Sequence, residues 1–126
     1  MKRVLFVGQQ PETVDYSDPA LPPGLDAQQI EAGIAVGLTK IEERGWQAEP
    51  CMIPPDKASG LILEQRLAAS HYDCVVIGGG IRLPPASTWL LEVVVNAVRK
   101  TAPDTPIAFN TVPEDTAEAA ARWLTD

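Results

Sequence analysis

The sequence predicts one three-layer α/β/α domain spanning residues 1–126, with a four-stranded parallel sheet in the strand order 2-1-3-4. Three observations predict it. Short apolar runs alternate with longer segments of helical period, in the order β-α-β-α-β-α-β-α. Two of the runs, RVLFVG at 3–8 and DCVVIG at 73–78, are apolar almost throughout, as in strands buried on both faces. The chain has 126 residues, 45% hydrophobic and 21% charged, which suits a single core of ordinary size. Right-handed crossovers then place helices on both faces, and the chain reverses direction between the first and third strands. In open α/β sheets, ligands bind at the carboxyl ends of the strands beside that reversal.

The first strand covers residues 3–8. The loop that follows, QQPETVDYSDPALPPGL at 9–25, is far longer than the few residues usual at such a junction. Pro19, Pro22 and Pro23 restrict its unfolded freedom, which argues for an ordered flap. By topology the flap arches over the carboxyl edge, and Tyr16 is expected to point toward Gly78, Gly79 and Gly80. A helix over 27–44 follows, with Ile30, Ile34, Leu38 and Ile41 on one stripe. Asp26 caps it, Gln29 completes a capping box, Leu25 is placed to staple against Ile30, and Gly45 ends it. Gly33 and Gly37 give it a G-x-x-x-G pattern. Gly37 falls on the apolar face, where close packing on the sheet is expected.

The second strand covers 46–53, and a helix over about 57–70 follows, with Leu63 and Leu67 inward. His71, the only histidine, then falls at the amino edge of the sheet, away from the expected site. After the third strand comes VVIGGGIRLPP at 75–85. A helix over about 86–101 turns Leu90, Val94, Ala97 and Val98 inward. Trp89 and Val93 lie to the side of that face, and large apolar side chains left outside a core mark an interface. A homodimer burying both is therefore expected. The fourth strand covers 106–110. A last helix runs from about 112 to 124, capped by the T-x-x-E pair Thr111 and Glu114, with Ala117, Ala120 and Leu124 buried.

The carboxyl edge thus gathers Gln9 and Gln10, the flap residues Asp15, Tyr16 and Asp18, Gly78, Gly79, Gly80, Arg82, and Asn110 with Thr111. The triple glycine admits two readings: tight packing against the first loop, or close approach of a ligand to the backbone. Arg82 also admits two. A guanidinium beside glycine amides suits a carboxylate or phosphate, whereas a salt bridge to Glu12, Asp15 or Asp18 would pin the flap. Asn110 and Thr111 read most simply as a helix cap.

Several chemistries are excluded. The net charge of −7 repels phosphate backbones and anionic lipid, so nucleic acid and membrane surfaces are poor partners. No run is long enough to span a bilayer, and the apolar N-terminal run is too short for a signal-peptide core. Cys51 and Cys74 lack paired spacing, which disfavours disulfides and zinc and points to a reducing cytoplasm. There is no G-x-G-x-x-G, no G-x-x-x-x-G-K-[ST], no C-x-x-x-x-x-R loop and no D-x-H-x-x-G. The turn Gln-Gln-Pro-Glu-Thr lacks the hydroxyl-rich phosphate loop of flavodoxins. Receiver-domain acids are absent from the first and third strand ends. A single histidine leaves no Ser-His-Asp triad at the expected site. The residues point to no metal, and they leave the cofactor unknown.

YSDPALPPG, VVIGGGIRLPP and FNTVPEDTAEAAARWL resemble segments of a widespread family of small bacterial α/β proteins with a flavodoxin-like or Rossmann-like core. The resemblance covers nearly the whole chain. It implies the fold and carries no activity, cofactor or site residue with it. Three functional classes follow from the residues. The leading one is a binding protein for a small polar or anionic molecule. The second is an enzyme using Asp15, Asp18 or Tyr16 as acid or base, which would need a carboxylate of raised pKa. The third is a homo-oligomeric interaction module without catalysis.

Overall fold

Strands β1 (Arg3–Gln9), β2 (Gln47–Ile53), β3 (Cys74–Ile77) and β4 (Ile107–Phe109) form one parallel sheet in the order β2-β1-β3-β4 in the computed structural model, which describes residues 1–124. Val7 is registered with Cys51 on one side and Ile77 on the other, and Val76 with Ala108. Alternation along the strands sends Leu5, Val7, Val75 and Ile77 to one face and Val4, Cys74, Val76 and Ala108 to the other. Helices α2 (Ala58–Ala69) and α4 (Thr88–Thr101) cover the first face; α1 (Ala27–Glu43) and α5 (Thr116–Ala121) cover the second. A single helical turn, α3 (Gly79–Arg82), follows β3 directly. The chain reverses between β1 and β3, as the sequence predicts. No helix among the described residues is long and apolar enough to cross a membrane.

Helix α1 starts as its sequence dictates. Asp26 Oδ1 accepts from the Gln29 amide at 2.8 Å, and Gln29 Oε1 accepts from the Asp26 amide at 3.2 Å. Gly45, at φ 82°, ends it in the left-handed region. Gly37 is buried, but its close neighbour is not the sheet. A Cβ there would fall inside van der Waals contact of the Pro113 carbonyl oxygen, so α1 is docked against the turn after β4.

The last helix differs from its expected start. A 3-10 turn at Pro113–Asp115 precedes α5, and the cap is Asp115 in place of Glu114. Asp115 accepts from the Thr111 hydroxyl and from the amides of Thr111 at 3.0 Å and Val112 at 3.5 Å. Pro113 sets this geometry by supplying a fixed φ and no amide at the first turn. On α4, Leu90, Val94, Ala97 and Val98 are buried. Val93 is half-buried against Gly60 of α2, so the fold itself already shields it; Trp89 stays 43% exposed.

Candidate functional site

Beyond the ends of β1 and β3 the α1/α5 face opens into a cavity of about 340 Å³. Its floor is the sheet end: Phe6, Gly8, Gly78, Gly79 and Gly80, with Met52 from β2. Ile30 and Ile34 of α1 form one wall, and Leu83, Asn110, Thr111 and Val112 form the opposite one. The roof is the loop between β1 and α1, through Val14, Leu21, Pro22 and Leu25. The expected flap therefore lies over the carboxyl edge, and it meets the cavity with apolar side chains.

The flap is held by its own hydrogen bonds. Gln9 Nε2 donates to the Thr13 carbonyl at 3.0 Å and the Thr13 hydroxyl at 3.1 Å, while that hydroxyl donates to the Gln10 carbonyl at 2.6 Å. Asp15 Oδ1 accepts from the Ser17 amide at 3.0 Å, and Asp18 Oδ1 from the Ala20 amide at 2.8 Å. Both are local turns of the kind short carboxylates make. Neither aspartate lines the cavity. The Ser17 hydroxyl and amide hold the Asp15 carboxyl below its ordinary range.

Tyr16 also departs from its expected position. Its hydroxyl donates to the Pro11 carbonyl at 2.7 Å, within the flap, and its ring is not part of the cavity wall. Burial pushes the Tyr16 phenol up, and the charges of Asp26, Glu31 and Glu12 push it further. The ring thus sits on the acidic side of the flap, toward the start of α1.

Two members of the glycine stretch have a specific steric reason. Gly78 donates to the Val7 carbonyl at 2.8 Å, and a Cβ on it would lie 3.3 Å from the Phe6 ring. Gly79 donates to Asn110 Oδ1 at 2.9 Å, and a Cβ there would press on the Thr111 carbonyl at 3.2 Å. At Gly80 a Cβ would meet open space. None of the three has a positive φ. The segment opens a short helical turn, and all three glycines face the cavity.

Arg82 does not form the expected flap-pinning ion pair among the described residues. Its guanidinium donates to the Asn110 carbonyl at 2.9 Å and lies 5.8 Å from the Phe109 ring centre. It is absent from the cavity wall and from the ion pairs among the described residues. The arginine ties the end of β3 to the end of β4. Its Nε is buried without a partner.

Asn110, expected as a simple cap, is instead the joint of the site. It is 1% exposed. Beyond its bond to Gly79, its Nδ2 donates to the buried Thr116 hydroxyl at 3.0 Å, and that hydroxyl donates to the Pro113 carbonyl at 2.6 Å. One side chain thereby joins α3, β4 and the start of α5.

Of the expected site residues, Gln9, Gly78, Gly79, Gly80, Asn110 and Thr111 come together around the cavity; Asp15, Tyr16, Asp18 and Arg82 do not. The apolar lining was missed. Ile30 and Ile34 read as ordinary core, yet α1 begins beyond the end of the sheet, so its first turns have no strand beneath them. Leu21 and Leu25, apolar residues in a proline-rich loop, were the available signal. Among the described residues no cluster of three His, Cys, Asp or Glu side chains could hold a metal ion. No protein-family model matches the chain, and no curated protein matches it.

Proposed function

We propose that the protein binds a small, largely apolar molecule at the carboxyl end of its sheet, beneath the loop between β1 and α1. The observation that carries this reading is the cavity itself: about 340 Å³, walled mainly by Phe6, Ile30, Ile34, Leu21, Leu25 and Met52, at the chain reversal. Ligand pockets in this size range are mostly apolar with a few placed polar groups. Gln9, Gln29, Asn110 and Thr111 supply those here. No lysine, arginine or histidine lines the cavity, which favours a non-anionic ligand over the anion suggested by the glycines and Arg82.

A catalytic role for Asp15, Asp18 or Tyr16 has no support from this geometry, since all three lie off the cavity wall. Both cysteines are free and buried, in keeping with a reducing cytoplasm as the working compartment. Self-association through α4 rests on Trp89, and sedimentation of wild type and Trp89→Ala at high micromolar concentration addresses it separately.

Methyl-resolved NMR tests the binding reading. Titration with a panel of small neutral, cationic and anionic molecules is expected to move the Ile30, Ile34, Leu21, Leu25 and Met52 methyl signals together for some neutral or cationic members. A panel in which only anions shift those signals, or in which nothing does, would overturn it.

A further inference from the structure

We infer that the preferred occupant of this cavity is a small organic amine, with its apolar body inside and its ammonium at Glu114. The inference rests on the binding reading above and names its ligand class. Among the described residues, Glu114 is the one charged side chain in the cavity wall. Its carboxylate lies directly over Gly33 of α1, where even a Cβ would come within 3.0 Å of Oε1. The glycine leaves room for a carboxylate between α1 and the 113–115 turn, at the rim of an otherwise apolar space. Glu114 takes part in no ion pair among the described residues. Its neighbour Asp115 is fully occupied as the cap of the same turn.

The surroundings reinforce the sign of the charge. Residues 4–39, which supply β1, the flap and most of α1, contain no lysine, arginine or histidine. They contain Glu12, Asp15, Asp18, Asp26 and Glu31. Three of these, Asp26, Glu31 and Glu12, lie close enough to Tyr16 of the flap to add to the burial that raises its phenol. Arg82 is the cation placed next to the wall, and its guanidinium is committed to the Asn110 carbonyl and the Phe109 ring. A field of one sign at a cavity mouth raises the local concentration of the opposite ion. An ammonium reaching Glu114 gains a charge-assisted contact, and its hydrocarbon body gains burial. A carboxylate of the same shape gains the burial and meets repulsion.

A matched set of probes separates the two parts of the inference: cyclohexylmethylamine, cyclohexylmethanol and cyclohexanecarboxylate, titrated against methyl-labelled protein. The alcohol reads the cavity alone. The amine is expected to bind about fivefold more tightly than the alcohol, the size of a partly exposed ion pair, and the carboxylate more weakly than either. Glu114→Gln is expected to remove the difference between amine and alcohol; Glu114 is exposed, so the fold is retained. Raising the salt to about 1 M should erase the same difference by screening. Equal affinity for amine and alcohol, or a carboxylate that binds as well as the amine, overturns the amine assignment and leaves the cavity reading standing. Failure of all three probes to move the lining methyls overturns both.

Discussion

The two faces of the sheet are built from different side chains, and the contrast accounts for where the cavity lies. The α2/α4 face is filled by large aliphatics: Leu5, Val7, Ile53, Leu63, Ile77, Leu90 and Val94 are fully buried together. The α1/α5 face relies on small ones. Ala108, Ala117, Ala119 and Ala120 bring α5 close to the strands, and Gly33 and Gly37 admit the 113–115 turn against α1. The 113–115 turn meets α1 at Gly33 and Gly37, at the same end of the helix where Ile30 and Ile34 wall the cavity, and the side-chain-free Gly8, Gly78, Gly79 and Gly80 across from them leave the space open. Both faces bury a core, and the α1/α5 face also leaves a space at the strand ends.

The sharpest way to break this contrast is to truncate one large residue on each face. Leu90→Ala is expected to cost about 2–5 kcal/mol, as for a fully buried leucine in a packed core. Ile34→Ala, at the half-buried cavity wall, should cost about 1 kcal/mol, because less apolar area returns to water there. Denaturation midpoints measure both; equal losses would mean the faces are packed alike.

Asn110→Ala comes next, at about 1–3 kcal/mol, because it leaves the Gly79 amide without its acceptor and removes the donor to the Thr116 hydroxyl. Asn110→Asp keeps the acceptor for Gly79 and loses the donor, so its melting temperature should fall between wild type and Asn110→Ala. An alanine variant as stable as wild type would remove Asn110 as the joint.

Gly37→Ala opposes two effects. Overpacking against the Pro113 carbonyl costs about 1–3 kcal/mol, and better helix propensity returns about 1 kcal/mol. A net loss of about 1 kcal/mol is expected in thermal unfolding, and a gain would show that α1 and the turn are not in close contact.

Smaller still is the pair Gly79→Ala and Gly80→Ala. The first presses on the Thr111 carbonyl and is expected to destabilise; the second meets open space and should be neutral or stabilise by up to about 1 kcal/mol. Reversal of their order in a thermal melt would contradict the placement of Gly80 at the open wall.

One cysteine sits on each face, Cys51 on the filled one and Cys74 on the other. Burial pushes both thiols up, Cys74 from 9.0 to about 12. Neither should react with a disulfide reagent at pH 8 in the folded protein. The Cys74 contribution to stability is complete below pH 9. Above that the unfolded thiol ionises and the folded one does not, so the contribution falls as pH rises toward about 12. A native Cys74 modified rapidly at pH 8 would place it outside the core.

Much of this was legible in the chain. The runs at 3–8 and 73–78, the 3.6-residue stripes on α1 and α4, and the Asp26–Gln29 box are local patterns whose physics acts within a few residues. The parallel order followed from the alternation of elements. What was not legible was where the side chains beyond the strand ends would point. Arg82 is two residues from Gly80, yet its guanidinium turns to the Asn110 carbonyl 28 positions away. Tyr16 satisfies its hydroxyl five residues back, on Pro11, and so turns from the glycines.

The sequence by itself determined the strands, the helices α1, α2 and α4, the side of the sheet on which a site could lie and the absence of basic residues from 4 to 39, because each depends on periodicity, capping chemistry or composition. Only the tertiary structure decided that the space there is apolar, that Asn110 is its joint and that Glu114, not Arg82, is the charge on its wall. Those outcomes depend on which polar groups from distant segments satisfy one another first. The Arg82 guanidinium turns to a backbone carbonyl and an aromatic ring of the β4 end, while the Glu114 carboxylate is seated over a glycine at the cavity wall.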